Sequence, residues 1–86
     1  MKLVFKKRFL KDIALVNSLD VLDEIEAAID NVKDADSLND IYNLKMMMPR
    51  RNVYRIRVHT HRILVAIDLN TVTFLSVGHR SIAYKK

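Results

Sequence analysis

The chain contains no cysteine among its 86 residues, and this absence excludes disulfide bonds and thiolate metal sites. Three histidines are present, but none has neighbouring carboxylates that would complete a set of metal ligands. We therefore expect neither a metal nor a cofactor. A chain without disulfides suits a reducing compartment, so the sequence predicts a cytoplasmic protein.

An uninterrupted apolar run is missing from the N-terminus. The segment "MKLVFKKRFLKDIALV" is broken by Lys6, Lys7, Arg8, Lys11 and Asp12, which excludes a signal peptide or a membrane span. Half of all residues are hydrophobic, enough for one modest core in a chain of this length. Because no linker, repeat or low-complexity segment divides the sequence, we expect residues 1–86 to form one compact domain without a membrane partner.

Carboxylates are almost absent from the second half of the chain. Residues 1–43 carry six Lys and Arg against nine Asp and Glu, whereas residues 44–86 carry nine against one, Asp68. A basic half with a single carboxylate is typical of a surface that binds a polyanion, because each neutralised phosphate releases counterions. The alternatives are a solvated basic face or a surface for an acidic protein partner.

The first half of the chain has mainly helical periodicity. The short apolar run "KLVF" (2–5) indicates a strand, and residues 8–16 place Phe9, Ile13 and Val16 at helical spacing. Ser18 is a candidate N-cap for a second helix over residues 19–33. The apolar stripe of this helix comprises Leu22, Ile25, Ile29 and Val32. A third short helical segment is predicted after Ser37, with Leu38, Ile41 and Leu44 facing inward.

The second half changes to the period of a strand. The segment "VYRIRVH" (53–59) alternates, so Arg55, Arg57 and His59 share one side. "RILVAID" (62–68) is nearly all apolar, as in a central strand covered on both faces, and "LN" makes a turn before "TVTFLSV" (71–77). The sequence therefore predicts an α+β fold of order β-α-α-β-β-β, with an antiparallel sheet covered on one face by helices.

Several of these segments together resemble a known family. "YRIRV", the arginine that opens the next strand in "HRILVAID", and "TVTFLSVGHRSIAY" are similar to the RelE/ParE superfamily of bacterial toxins, particularly its RelE-like branch. The resemblance also covers "FKKRFLKDI" and "SLNDIYNLK". It implies the toxin of a type II toxin-antitoxin system, a ribosome-dependent mRNA endonuclease (mRNA interferase) that blocks translation. The implied partners are the ribosome, mRNA and a cognate antitoxin that holds the toxin inactive in a hetero-oligomer.

The resemblance implies roles for five residues. RelE-like toxins carry basic residues at alternate positions of the second strand, matching Arg55 and Arg57. They carry an arginine early in the third strand, matching Arg62, an arginine after the last strand, matching Arg80, and a tyrosine shortly after it, matching Tyr84.

Two segments depart from the family pattern. Relatives usually have a glycine-containing turn between the second and third strands, whereas this chain has His59, Thr60 and His61. A common Lys-Leu-Lys-Gly before the second strand is replaced by "LKMMMPRRN" (44–52). We expect these departures to affect the geometry of the loop between the second and third strands and the substrate preference.

Metal-independent cleavage of RNA explains why these residue types would be needed. The 2′-hydroxyl attacks its own phosphate, which requires a proton acceptor, cations around the phosphorane and a donor for the 5′-oxygen. We expect Arg62 and Arg80 to stabilise the transition state, because a guanidinium matches phosphate oxygens and stays charged. Tyr84 is expected to stack on a base or exchange a proton.

The remaining candidates have supporting roles. Arg55, Arg57, Lys85 and Lys86 are expected to bind RNA phosphates. His79 and His61 are acid or base candidates, because imidazole is the side chain best suited to exchange protons at physiological pH. We also expect Gly78 to let the chain turn out of the last strand, in front of the basic tail.

Each assignment has a plainer alternative. Arg55 and Arg57 resemble solvated edge charges, His61 a polar loop residue, and Tyr84 part of a frayed terminus. The superfamily also contains gyrase poisons with the same fold. The alternative hypothesis is therefore a gyrase-directed, ParE-like poison, or a degenerate toxin kept for antitoxin binding and operator control. The complete set of Arg62, Arg80 and Tyr84 favours the endonuclease.

Overall fold

A computed structural model describes residues 1–47 and 51–81 of the chain. Its elements are β1 (Lys2–Phe5), α1 (Lys7–Leu15), α2 (Leu19–Asp34), a 3-10 helix (Leu38–Asp40), β2 (Leu44–Met46), β3 (Val53–Val58), β4 (His61–Asp68) and β5 (Thr71–His79). The predicted α+β class is confirmed, and so is the N-cap of α2, where the Val21 amide donates to Ser18 Oγ at 3.3 Å. No helix in the described part of the chain is long and apolar enough to cross a membrane.

The five strands form one mixed sheet with the order β1-β5-β4-β3-β2. β3, β4 and β5 make the predicted antiparallel meander. β1 also joins the sheet, but it runs parallel to β5, with Lys2 beside Thr71 and Phe5 beside Phe74. The sheet is therefore not wholly antiparallel as predicted, because the side-chain alternation of an edge strand does not encode its direction.

The predicted third helical segment is wrong beyond its first turn. Only a 3-10 turn forms after Ser37, and β2 follows and pairs antiparallel with β3. Between them Asn43 takes a positive φ of 62°, a conformation that asparagine tolerates and that stops a helix. The Asn31 side chain braces this loop by donating to Asp40 O at 2.9 Å and accepting from the Tyr42 amide at 3.0 Å.

The core lies between the sheet and the two helices. Its buried strand residues are Ile56, Val58, Ile63, Val65, Ile67, Val72, Phe74 and Val77, and the helices add Phe9, Val21, Ile25 and Val32. Leu64 and Ala66 point to the other face and stay partly exposed. Contrary to the prediction, the described residues thus cover β4 on one face only.

A register shift lies in the centre of the sheet. Leu64 of β4 pairs with Ser76, but Val65 pairs with Phe74, so β5 contains one extra residue. This bulge lets both Phe74 and Val77 face the helices. Just beyond it, the Val77 amide donates to Asp12 Oδ2 at 3.1 Å. Asp12 therefore fastens α1 to the last part of β5.

Candidate active site

The sheet has an open face, which we define as the face opposite α1 and α2. Side chains that alternate with the buried core residues of each strand point to it. Its described basic members on β2, β3 and β4 are Lys45, Arg55, Arg57 and Arg62. Lys45 was missed by the sequence prediction, because three residues of strand give too short an alternation to recognise.

Strand register brings the open-face cations together in two rows. Lys45 lies opposite Arg55, and Arg57 lies opposite Arg62. Like charges directly opposite each other on a sheet are destabilising, so an anion bound between Arg57 and Arg62 would relieve their repulsion. Gly78 is the next neighbour of Arg62, on β5. Because glycine has no Cβ, it leaves space on the face beside the Arg62 side chain.

Gly78 does not turn the chain out of the last strand. It lies inside β5, which continues to His79, and no glycine has a positive φ in the part of the chain that the structure describes. The expectation from the sequence was wrong because the strand is two residues longer than its apolar pattern indicated.

The turn between β3 and β4 holds both arginines predicted to be catalytic. Arg62 Nη1 donates to His59 O at 3.1 Å and to His61 O at 2.9 Å. The Arg80 amide donates to Thr60 O at 2.7 Å. Three successive carbonyls of the turn thus fix the guanidinium of Arg62 and the backbone of Arg80 at the same end of the sheet.

This turn closes without the glycine that is usual in the family. His59 takes the positive φ, 57°, which costs a non-glycine residue roughly 1–2 kcal/mol. The three carbonyl contacts to Arg62 and Arg80 help to hold it. The departure from the family pattern therefore leaves the hairpin intact.

The two histidines predicted as acid or base candidates point away from the open face. His61 and His79 are each two residues from a buried core residue, Ile63 and Val77 respectively, so they lie on the helix side. They are direct cross-strand partners, with ring centroids 5.6 Å apart and an interplanar angle of 74°. Burial lowers the pKa of His61 below its usual 6.5, and the charges of His79 and His59 lower it further.

A cleft of about 590 Å³ lies between α1 and these strand ends. Both histidine rings line it, together with Arg8 and Asp12 of α1 and Ser18 at the start of α2. Both oxygens of the Asp12 carboxylate already have partners, because the group also accepts from Arg8 Nε at 3.2 Å. The end of the sheet is thus polar on both faces.

The remaining predicted site residues are partly outside the described structure. Arg80 is exposed and lies next to the turn, whereas Tyr84, Lys85 and Lys86 lie outside the described residues. Within residues 1–47 and 51–81, no group of three or more His, Cys, Asp and Glu side chains is placed to hold a metal ion. The described site therefore consists of arginines, backbone carbonyls and the glycine gap.

Comparison with known proteins supports the sequence resemblance. A model of the ParE toxin of the type II toxin-antitoxin system parDE matches residues 3–84. Toxin RelE3 of Methanocaldococcus jannaschii is 34% identical over 85 residues, covering 98% of this chain and 96% of that toxin.

Two solved structures have the same fold. The RelE toxin in the RelB-RelE antitoxin-toxin complex from Methanococcus jannaschii superposes with a TM-score of 0.82 at 31% identity, over 94% of each chain. The intact E. coli RelBE toxin-antitoxin complex gives 0.71 at 18% identity, over 91% of this chain and 94% of that one, and shows the fold alone. These matches define a toxin fold of type II toxin-antitoxin systems. The chain belongs to the RelE/ParE toxin superfamily and, as predicted, to its RelE-like branch.

Proposed function

We propose that this toxin is a ribosome-dependent mRNA endonuclease that blocks translation in the cytoplasm. The observation that supports it most strongly is the pairing of Arg57 with Arg62 on the open face, beside the gap at Gly78. The backbone of Arg80 is held at the same end of the sheet by its hydrogen bond to Thr60 O. Two guanidinium groups on this face, with Arg80 beginning at the adjoining turn, suit a phosphate that gains negative charge as it reacts. The ribosome would present the mRNA, which is why a shallow face suffices.

In the proposed reaction the 2′-oxygen of one nucleotide attacks the phosphorus that follows it. The new P–O2′ bond forms as the P–O5′ bond breaks, giving a 2′,3′-cyclic phosphate and a free 5′-hydroxyl. The proton lost from the 2′-hydroxyl goes to a base, and another proton goes to the leaving 5′-oxygen. Arg62 and Arg80 stabilise the phosphorane, and Arg57 and Arg55 bind the neighbouring phosphates.

We assign the base-stacking or proton-transfer role to Tyr84 rather than to the histidines. His61 and His79 face the helix side, away from Arg57 and Arg62. Tyr84 lies outside the described residues, so its role is proposed on the resemblance to RelE-like toxins. Lys85 and Lys86 would add general attraction for RNA.

Cleavage of mRNA on programmed ribosomes by the purified protein tests the proposal. Arg80→Ala should lower the cleavage rate by about 10² to 10³, the effect of removing one preorganised donor. Arg51→Ala is the matched control, because Arg51 is also exposed but precedes β3 at the opposite end of that strand. Equal rates for a folded Arg80→Ala protein and the wild type would refute the catalytic assignment.

The second candidate function is a gyrase-directed poison, favoured by the match to the ParE toxin model. A gyrase supercoiling assay run beside the ribosome assay separates the two. Inhibition of supercoiling with intact ribosome-bound mRNA would select the poison. Inactivity in both assays would leave a degenerate toxin that acts through antitoxin binding and operator control.

We also propose a cognate antitoxin that covers the open face in a toxin-antitoxin hetero-oligomer. Two solved relatives are antitoxin-toxin complexes, and the open-face cations suit an acidic segment as well as RNA. Expression of the toxin alone should arrest growth, and co-expression of its cognate antitoxin should relieve the arrest. Normal growth of cells that make soluble, folded toxin would contradict the proposal.

A further inference from the structure

We propose that His79 is a positioning residue. Its neutral imidazole fixes the exit of the chain from β5, and with it the placement of Arg80. The effect on cleavage rests on the proposed function, but the structural part does not. Neither the resemblance to the family nor the matched relatives assign this role to the residue.

The hydrogen bonds define which form of the imidazole is required. The Ser81 amide donates to His79 Nδ1 at 3.2 Å, and Ser81 Oγ lies 2.9 Å from the same nitrogen. A backbone N–H can only donate, so Nδ1 must carry a lone pair and the ring proton must be on Nε2. The arrangement is the histidine equivalent of an Asx turn, in which a side-chain acceptor binds the amide two residues later.

Two hydrogen bonds then hold both sides of Arg80. On one side its own amide donates to Thr60 O at 2.7 Å, and on the other the Ser81 amide donates to His79. Because both amides are fixed, the Cα of Arg80 is fixed too, and this atom is the point from which the side chain extends.

Protonation of His79 would undo this arrangement, because a proton on Nδ1 would face the Ser81 N–H. The charged and titratable groups near the ring are four basic side chains and one carboxylate. His61 lies across from it at 5.6 Å, Arg8 of α1 lines the same cleft, and Arg80 and His59 belong to the adjoining backbone. Asp12 of α1 is the carboxylate of this cleft, but its oxygens already accept from Val77 N and Arg8 Nε.

Nuclear magnetic resonance of the full-length protein tests the bond directly. In His79→Asn the amide oxygen replaces Nδ1 as acceptor and cannot titrate, whereas His79→Ala has no acceptor. The Ser81 amide should be hydrogen-bonded in the wild type and in His79→Asn but not in His79→Ala. In the wild type the chemical shift of the Ser81 amide should change in step with protonation of the His79 ring, and this step should be absent in His79→Asn. His59→Asn is the matched control and should titrate like the wild type.

Cleavage on programmed ribosomes provides the second readout. His79→Ala should reduce the cleavage rate roughly tenfold, as expected for losing one hydrogen bond, and His79→Asn should restore it. A Ser81 amide that is unchanged in His79→Ala overturns the proposal, whatever the activity, as does a full cleavage rate in a variant that has lost the bond. If the Ser81 amide responds as expected but neither the wild type nor any variant cleaves RNA, the positioning role stands and the proposed function fails.

Discussion

The two faces of the same sheet differ in almost every physical property. On β3, Ile56 and Val58 are buried under the helices, whereas Arg55 and Arg57 between them point to the open face. One face is apolar and closely packed, and the other collects positive charges that repel each other. The comparison teaches that alternation lets one strand supply stability and binding independently. Substitutions should therefore separate into two classes according to the face they alter.

The largest expected effect is on the helix side. Phe74 is fully buried, and its ring centroid lies 4.9 Å from that of Phe5 and 5.3 Å from that of Phe9. Phe74→Ala should lower the free energy of unfolding by about 3–5 kcal/mol, a large share of the roughly 5–15 kcal/mol typical of a domain. Urea denaturation measures it, with Thr73→Ala on the opposite face as control. Equal decreases in the free energy of unfolding for the two variants would contradict the distinction between the two faces.

The reverse pattern is expected on the open face. Arg62→Ala should lower cleavage by about 10² to 10³, while the two lost hydrogen bonds to the turn reduce the free energy of unfolding by only about 1–3 kcal/mol. Arg62→Lys keeps the charge but loses the planar fork, so it should recover only part of the rate. Ribosome cleavage and urea denaturation on the same preparations measure both quantities. A loss of activity fully explained by unfolding would argue against a separate functional face.

A smaller effect is expected within the helix layer, at the start of α2. Ser18→Ala removes the acceptor for the Val21 amide and should lower the free energy of unfolding by about 1 kcal/mol. Ser37→Ala is a suitable control, because Ser37 precedes the 3-10 helix without a side-chain capping bond. Thermal denaturation detects the difference. Cleavage per folded molecule should be the same for both variants, and a selective loss in Ser18→Ala would show that the faces are coupled.

The smallest expected effect is a pH dependence of the free energy of unfolding, caused by His61 on the helix side of the sheet. The pKa of His61 is lowered in the folded protein, so the unfolded chain binds more protons as the pH falls below about 6.5. This contribution to stability is complete above that pH and is lost as the pH falls through the folded pKa. Comparing urea denaturation at pH 7.5 and pH 5.5 should show a smaller decrease for His61→Phe than for the wild type. Identical decreases would exclude His61 as the source.

Local patterns predicted most of the elements but not their spatial relations. Helical spacing and the Ser18 cap gave α2, and alternation gave β3 with the correct face for Arg55 and Arg57. The side on which His61 and His79 lie depends on the register of β4 with β5 and on the bulge between them. No local pattern encodes that register. The direction of β1 was also beyond prediction, because its partner is distant in the sequence.

The contacts by which the β3–β4 turn holds Arg62 and Arg80 could not be predicted from the sequence either. These contacts are made by the backbone carbonyls of His59, Thr60 and His61. Every residue has a backbone carbonyl, so the sequence does not indicate which carbonyls accept hydrogen bonds. The sequence did show that the usual glycine turn is missing. That departure indicated an unusual loop without revealing that the loop contacts both Arg62 and Arg80.

The parallel pairing of β1 with β5 also determines when the protein can finish folding. β1 is synthesised before β5, but Lys2–Phe5 has no partner in the sheet until Thr71–Phe74 has been made. At roughly 5–20 residues per second the delay is several seconds. The open-face arginines of β3 are made earlier, yet Arg62 has no Gly78 beside it until β5 is added. The sheet of this proposed ribosome-attacking toxin is thus complete only after β5 has been synthesised.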